Sequence, residues 1–188
     1  MANLKEIRNR ITSVSSTMQI TSAMKMVSAA KLKKAQDAIT AMRPYAEKLT
    51  ELLQELSATL DGEVGGDYTT QREVKKVLLV AITSNRGLCG AFNSNIIKET
   101  KNRTKFYAGK QVDVFPIGKK GNDVLLKTYK VHGHHNAIFD HLTFDNVAGI
   151  AENLIEKFLS GEYDKIELIY NQFKNAATQI VQVNSFYR

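Results

Sequence analysis

Leu4-Lys5-Glu6-Ile7-Arg8-Asn9-Arg10-Ile11-Thr12-Ser13-Val14-Ser15-Ser16-Thr17-Met18 opens a heptad pattern that persists to Leu60. One series of positions reads Leu4, Ile11, Met18, Lys25, Leu32, Ile39, Ala46, Leu53, Leu60. The other reads Ile7, Val14, Thr21, Ser28, Ala35, Met42, Leu49, Leu56. Fourteen of these seventeen positions are apolar, and a repeat sustained that long specifies a coiled-coil helix over an ordinary surface helix. At 1.5 Å per residue such a rod is roughly 85 Å long. A coiled-coil seam needs a second helix to cover it, and residues 61–188 hold no matching pattern. The rod is therefore expected to be half of an assembly or a piece of a longer chain.

Two features interrupt the rod. Thr21, Lys25 and Ser28 put polar groups at three consecutive seam positions, where apolar knobs pack best. Pro44 removes one helix hydrogen bond, yet Ala46, Leu49, Leu53 and Leu56 keep the register beyond it. The expectation is a kink at 40–44 and not a stop. Charge is also uneven. Residues 1–34 carry seven Lys/Arg against one acid, and residues 35–60 carry two against four, within a chain of net charge +7. The plain reading of the basic half is a solvated helix face. The sharper one is an acidic environment, such as nucleic acid or an acidic protein cavity. Nucleic acid is disfavoured, because few aromatics lie among these cations for stacking and no reading-helix motif is present.

Asp61-Gly62-Glu63-Val64-Gly65-Gly66-Asp67 reads as a linker by its glycines. The organisation expected is a shaft helix over 1–60, a linker over 61–75 and an α/β domain over 76–188. Lys76–Thr83 (KVLLVAIT) is a short apolar, β-branched run, as in a strand buried on both faces. A loop follows over 84–92, then a helix over 93–105 capped by Asn93 or Ser94. Gln111–Ile117 is a second strand, 118–127 a short helix, and Tyr129–His132 a third, short strand. Asp145–Leu159 is an amphipathic helix with Asp145 as its cap and Gly161 beyond its end. Lys165–Asn171 and Thr178–Phe186 are strands joined by Asn175-Ala176-Ala177. Alternating strands and helices predict an α/β fold: a mainly parallel, Rossmann-like sheet with an antiparallel edge hairpin.

The 43% apolar content fits a folded chain. No apolar run is long enough to span a membrane. The N-terminus enters the helical pattern at once, without the layout of a signal peptide. A lone cysteine, Cys89, excludes an internal disulfide framework and suits a reducing, cytoplasmic compartment.

Three candidate sites carry chemistry. Ser84-Asn85-Arg86-Gly87-Leu88-Cys89-Gly90-Ala91-Phe92-Asn93 lies between a strand and a helix, where phosphates bind in α/β sheets. Its spacing is GxxG, matching neither the dinucleotide nor the P-loop pattern. A tight turn using glycine for positive φ is the default. Cys89 could be a nucleophile beside a basic group, but a buried apolar thiol is the more frequent fate of free cysteine. His132, His134, His135 and His141 could hold zinc or nickel, yet no carboxylate pair or second cysteine accompanies them at ligand spacing. No cofactor or metal is assigned, and no residue set specifies catalysis.

Two segments raise a family resemblance. Residues 10–35, from Arg10-Ile11-Thr12-Ser13-Val14 through Thr17-Met18-Gln19-Ile20-Thr21-Ser22-Ala23-Met24-Lys25-Met26-Val27-Ser28 to Lys31-Leu32-Lys33-Lys34-Ala35, and the loop Ser84–Asn93 closely resemble the γ subunits of rotary F-type ATP synthases. Arg43-Pro44-Tyr45-Ala46-Glu47-Lys48-Leu49 is similar to that family too. The resemblance implies a non-catalytic rotor shaft. Its partners would be the α and β subunits of a catalytic hexamer, with the ε subunit and membrane c-ring lower on the stalk. It implies a peripheral position at the cytoplasmic face of the bacterial inner membrane, and a C-terminal partner helix beyond Arg188. It implies that Thr21, Met24, Lys25, Met26, Val27, Lys31 and Lys33 meet the β-subunit loops as a bearing. Arg86, Gly87, Leu88, Cys89, Gly90 and Asn93 then form a family loop element or subunit contact. Two rival readings remain: a nucleotide-dependent enzyme using loop 84–93, and a coiled-coil adaptor.

Overall fold

A computed structural model describes residues 3–59, 72–133, 135–175 and 177–186. The chain divides into two compact units, Met1–Asp61 and Gly62–Arg188.

The first unit is one helix, α1 (Leu4–Thr59), 56 residues long with Pro44 inside it. The proline does not stop it, as its register predicts. Asn3 starts the helix: its Oδ1 accepts the Lys5 N–H at 3.2 Å, and its carbonyl takes those of Glu6 and Ile7. This satisfies donors that a helix N-terminus otherwise leaves free. Thr12, Thr17, Thr21 and Thr50 each donate a hydroxyl to the carbonyl four residues back. These four hydroxyls are thus satisfied within the helix itself. No described side chain of α1 is buried. The glycine-rich stretch read as a linker, 61–67, lies outside the described residues.

The second unit is an α/β sheet. In chain order it runs β1 (Lys76–Ile82), α2 (Phe92–Phe106), β2 (Gln111–Ile117), α3 (Lys119–Leu125), a 3-10 turn (Ala137–Phe139), α4 (Phe144–Leu159), β3 (Lys165–Phe173) and β4 (Gln179–Ser185). Strand order is β2-β1-β3-β4. β1 pairs in parallel with β2 and β3, and β3–β4 is the antiparallel edge hairpin. Its turn is held by Asn175 Oδ1, which accepts from the backbone of Ala177 and Thr178. Pro116 sits in β2, at the other edge of the named strands, where a missing donor is tolerated.

β1 is central and buried on both faces, so its side chains alternate between two cores. Val77, Leu79 and Ala81 pack with Ile96, Tyr107, Val114, Leu125 and Ile169. Leu78 and Val80 pack with Phe115, Leu154, Phe158, Tyr163 and Ile166. α2 and α3 therefore cover one face and α4 the other. A run without polar alternation is what a strand with two covered faces requires.

Three local expectations are corrected. The short strand at Tyr129–His132 reduces to one parallel bridge, Val114 with Val131, because Gly133 turns away at φ +65°. The cap of α4 is Thr143, whose hydroxyl accepts from Asn146 N–H at 3.4 Å. Asp145 is the second residue of the helix, where its charge still favours the N-terminal dipole. Neither Asn93 nor Ser94 caps α2, whose N-cap is Ala91 with no side-chain bond.

Candidate functional site

Asn93 has a different task, which explains the missing cap. Its Oδ1 accepts the Ser84 N–H at 2.9 Å. Its Nδ2 donates to Arg86 O at 3.2 Å and to Cys89 Sγ at 3.1 Å. Ser84 Oγ closes on Arg86 O at 2.6 Å. One amide thus ties both ends and the middle of the loop between β1 and α2. The Ser84 N–H at the start of the loop is therefore already engaged by a side chain of this chain.

Gly90 adopts φ +57°, as the tight-turn reading requires, and Leu88 shares that conformation. Leucine is costly there, because its Cβ crowds the following carbonyl. Its side chain is also fully exposed at the loop tip. Gly87 has ordinary φ, and a Cβ there would meet only Lys120 Cε at 3.7 Å. Cys89 is exposed, which corrects the expectation of a buried thiol. Arg86 is exposed too.

The loop is braced from below. Asn85 Nδ2 donates to Asn136 O at 2.6 Å, and Asn85 Oδ1 accepts from Lys119 N–H. Thr83 is buried and accepts the Gly121 N–H at 2.8 Å. A Cβ on Gly118, at φ +98°, would overlap the Thr83 carbonyl. The loop at 118–121 can approach β1 only with glycine there.

The histidines separate. His132 Nε2 lies 2.8 Å from Asp113 Oδ2, and the His135 ring stacks on Phe115 at 4.7 Å. His134 lies outside the described residues. Among the described residues no group of three or more His, Cys, Asp or Glu is placed to hold a metal ion.

The bearing candidates all lie exposed on α1. At 3.6 residues per turn, Thr21, Met24, Lys25 and Lys31 fall on one side of the helix. Met26 and Lys33 fall on the other, with Val27 between. These residues do not form one patch; they encircle the rod.

Two features escaped the sequence reading. Each face of the sheet buries one carboxylate. On the α2 face, Glu167 accepts from Arg103 Nη2 at 2.5 Å, Arg103 Nε at 2.8 Å and Tyr107 Oη at 2.6 Å. On the α4 face, Asp113 accepts from Tyr163 Oη at 2.8 Å, beside His132 and with Lys130 Nζ at 3.6 Å. Burial pushes both carboxyls up, but these donors and cations outweigh it and hold both below their ordinary values. Burial, then the facing carboxylate, raises Tyr107 and Tyr163. Arg103 is raised chiefly by its bond to Glu167. The signal was present: Glu167 alternates in phase with buried Ile169, and Asp113 with buried Phe115.

Known proteins now bear on the geometry. Residues 3–188 match the family model described as ATP synthase. The ATP synthase gamma chain of Flavobacterium johnsoniae is 92% identical over 99% of this chain and 65% of that protein. That of a Geobacter species is 44% identical over 95% of this chain and 63% of that one. The chain thus spans about 65% of the length of such relatives. Among solved structures, the Tetrahymena thermophila mitochondrial ATP synthase central stalk and c-ring contains a similar chain. It has TM-score 0.64 and 29% identity, covering 89% of this chain and 72% of that one. The Euglena gracilis mitochondrial ATP synthase rotor shares the fold, with TM-score 0.57 at 20% identity. By sequence along its length, and with a long helix followed in the chain by this sheet, the chain belongs to the ATP synthase family, among its gamma chains.

Proposed function

We propose that this chain supplies part of the central rotor shaft of an ATP synthase. In this reading α1 is one strand of the coiled coil inside the αβ hexamer, and the α/β unit sits lower on the stalk. The ε subunit and the c-ring are its further partners. The complex lies at the cytoplasmic face of the bacterial inner membrane. Among the described residues no helix is long and apolar enough to cross a membrane, which is compatible with a peripheral subunit. The chain does no bond chemistry; it drives β subunits between conformations by differential contact.

The observation that carries the reading is α1, a 56-residue helix with an apolar heptad seam and no buried described side chain. Most helix stability comes from packing an apolar face, so such a helix calls for partners that cover it. The bearing residues support it further. Met24, Met26, Lys25, Lys31 and Lys33 surround the rod with flexible apolar and cationic groups, which suits a surface meeting several partners in turn.

The test is co-migration with purified α and β subunits, with ATP hydrolysis assayed on the peak. Co-elution with altered hydrolysis is expected. If the chain neither co-elutes nor changes hydrolysis when extended to the full length of its relatives, the reading is wrong. Tight ATP binding by the chain alone would favour the nucleotide-enzyme alternative.

A further inference from the structure

Three neighbouring parallel strands begin at or just after a lysine. Lys75 and Lys76 lead β1, Lys110 immediately precedes β2, and Lys165 opens β3. The registers Lys76 with Gln111 and Val77 with Lys165 set these starts side by side, at the roughly 4.8 Å spacing of adjacent strands. The last turn of α2 adds Arg103 and Lys105. Lys110 Nζ and Lys165 Nζ lie 5.7 and 6.0 Å from the Tyr107 ring centre, so helix end and strand starts form one cluster.

The acids here are engaged. Glu73 pairs with Lys75 at 2.9 Å. Asp164 accepts the backbone N–H groups of Lys75 and Lys76. Glu167 is buried under Arg103, and Lys165 Nζ, at the edge of the rim, lies 3.6 Å from it. Lys76, Lys105 and Lys110 have no acidic partner among the described residues. Amid these cations stands Phe106, 69% exposed, with the Arg103 guanidinium 4.5 Å from its ring.

We propose that this rim, Lys76, Lys105, Lys110 and Lys165 around exposed Phe106, docks on the anionic phosphate layer of a lipid surface. Lysines are compact point charges that suit a diffuse array of headgroups, where a single bound carboxylate or phosphate favours arginine forks. They come from separate strands and a helix end, so they spread along an edge and do not converge on a cleft. Four or more such cations beside an exposed aromatic is the makeup of an interfacial contact. One aromatic is too few for a nucleic-acid stacking platform. The inference stands on the rim's chemistry and does not depend on the role of α1.

The first half of α1 is also basic, so sedimentation with vesicles would not locate the contact. Tryptophan fluorescence does, because the chain has none. Phe106→Trp places a sole reporter on the rim, and Leu88→Trp places one on the loop after β1, at the strands' opposite ends. Circular dichroism confirms that each variant is folded. With vesicles of phosphatidylcholine plus phosphatidylglycerol, the Phe106→Trp emission shifts to the blue, and brominated lipid quenches it several-fold. Pure phosphatidylcholine has no effect, and high salt reverses the shift. Adding Lys105→Glu and Lys110→Glu abolishes it, while Leu88→Trp does not respond. The proposal is overturned if the Phe106→Trp emission stays unmoved on anionic vesicles, or if both reporters shift alike. A shift with polyglutamate but not with vesicles overturns it in favour of an acidic protein partner.

Discussion

Leu78, Leu79 and Val80 in β1 have no exposed surface, whereas Leu4, Ile11, Val14 and Met18 in α1 are each more than 60% exposed. The side chains are of the same kinds; their surroundings are opposite. In the α/β unit each apolar residue of β1 meets a helix on its own face, and burying it contributes about 1.5–3 kcal/mol. In α1 the same residues contribute nothing until something covers them. The sheet unit carries its own core, and α1 leaves its apolar side chains uncovered. Like side chains thus stabilise one unit of the chain and not the other.

The sharpest way to break this comparison is a pair of matched truncations. Leu79→Ala should destabilise the sheet unit by about 3–4 kcal/mol through lost burial and a cavity. Ile11→Ala should leave the unfolding midpoint of the isolated chain within about 0.5 kcal/mol. Denaturant melts of both would show it, and equal losses would mean that α1 is covered within the chain itself. Next in size is Glu167→Gln, which leaves Arg103 without its counter-charge. Arg103 is partly exposed, so a loss near the lower bound for broken buried pairs, about 3 kcal/mol, is expected. A loss under about 1 kcal/mol would show the pair to be dispensable.

A pH series sharpens the comparison next. Glu167 and Asp113 sit below their ordinary values of 4.5 and 3.8. Their contribution is complete above those values and is lost as pH falls through the lower folded ones. Tyr107 and Tyr163 sit above the ordinary 10.0, so theirs is complete below pH 10 and lost as pH rises through the higher folded values. Melting of the sheet unit, followed by near-ultraviolet circular dichroism, should therefore weaken below about pH 4 and again above about pH 10. A flat profile would contradict the two buried networks. The smallest effect belongs to α1: Lys48→Ala removes an exposed ion pair with Glu51 at 2.8 Å. That should change helicity by no more than about 0.5 kcal/mol.

Periodicity made the architecture legible. KVLLVAIT could be read as a doubly covered strand because it lacks alternation, and the heptads of residues 4–60 as a helix because no other structure keeps that repeat. What escaped the reading depended on contacts distant in sequence. Asn93 has the right type and place for a cap, but its amide is drawn to Ser84, Arg86 and Cys89. Cys89 belongs to a residue type that is buried on average, yet its loop is turned outward. Glu167 and Asp113 look like solvated charges in a linear reading, and only the facing Arg103, Tyr107 and Tyr163 make them internal. The loop motif was visible as a string, while its chemistry was decided by one side chain nine residues from where the loop begins.

That side chain works as a clip. In many α/β sheets the first strand-to-helix turn adapts to a bound phosphate, and occupancy shifts the population of conformers. Here Asn93 already joins the Ser84 N–H and the Arg86 carbonyl from within the chain. A group tethered to the same chain acts at a high effective concentration, so the loop is held shut with no ligand needed to bridge it. Such a turn would move with β1 and α2 as one stiff piece.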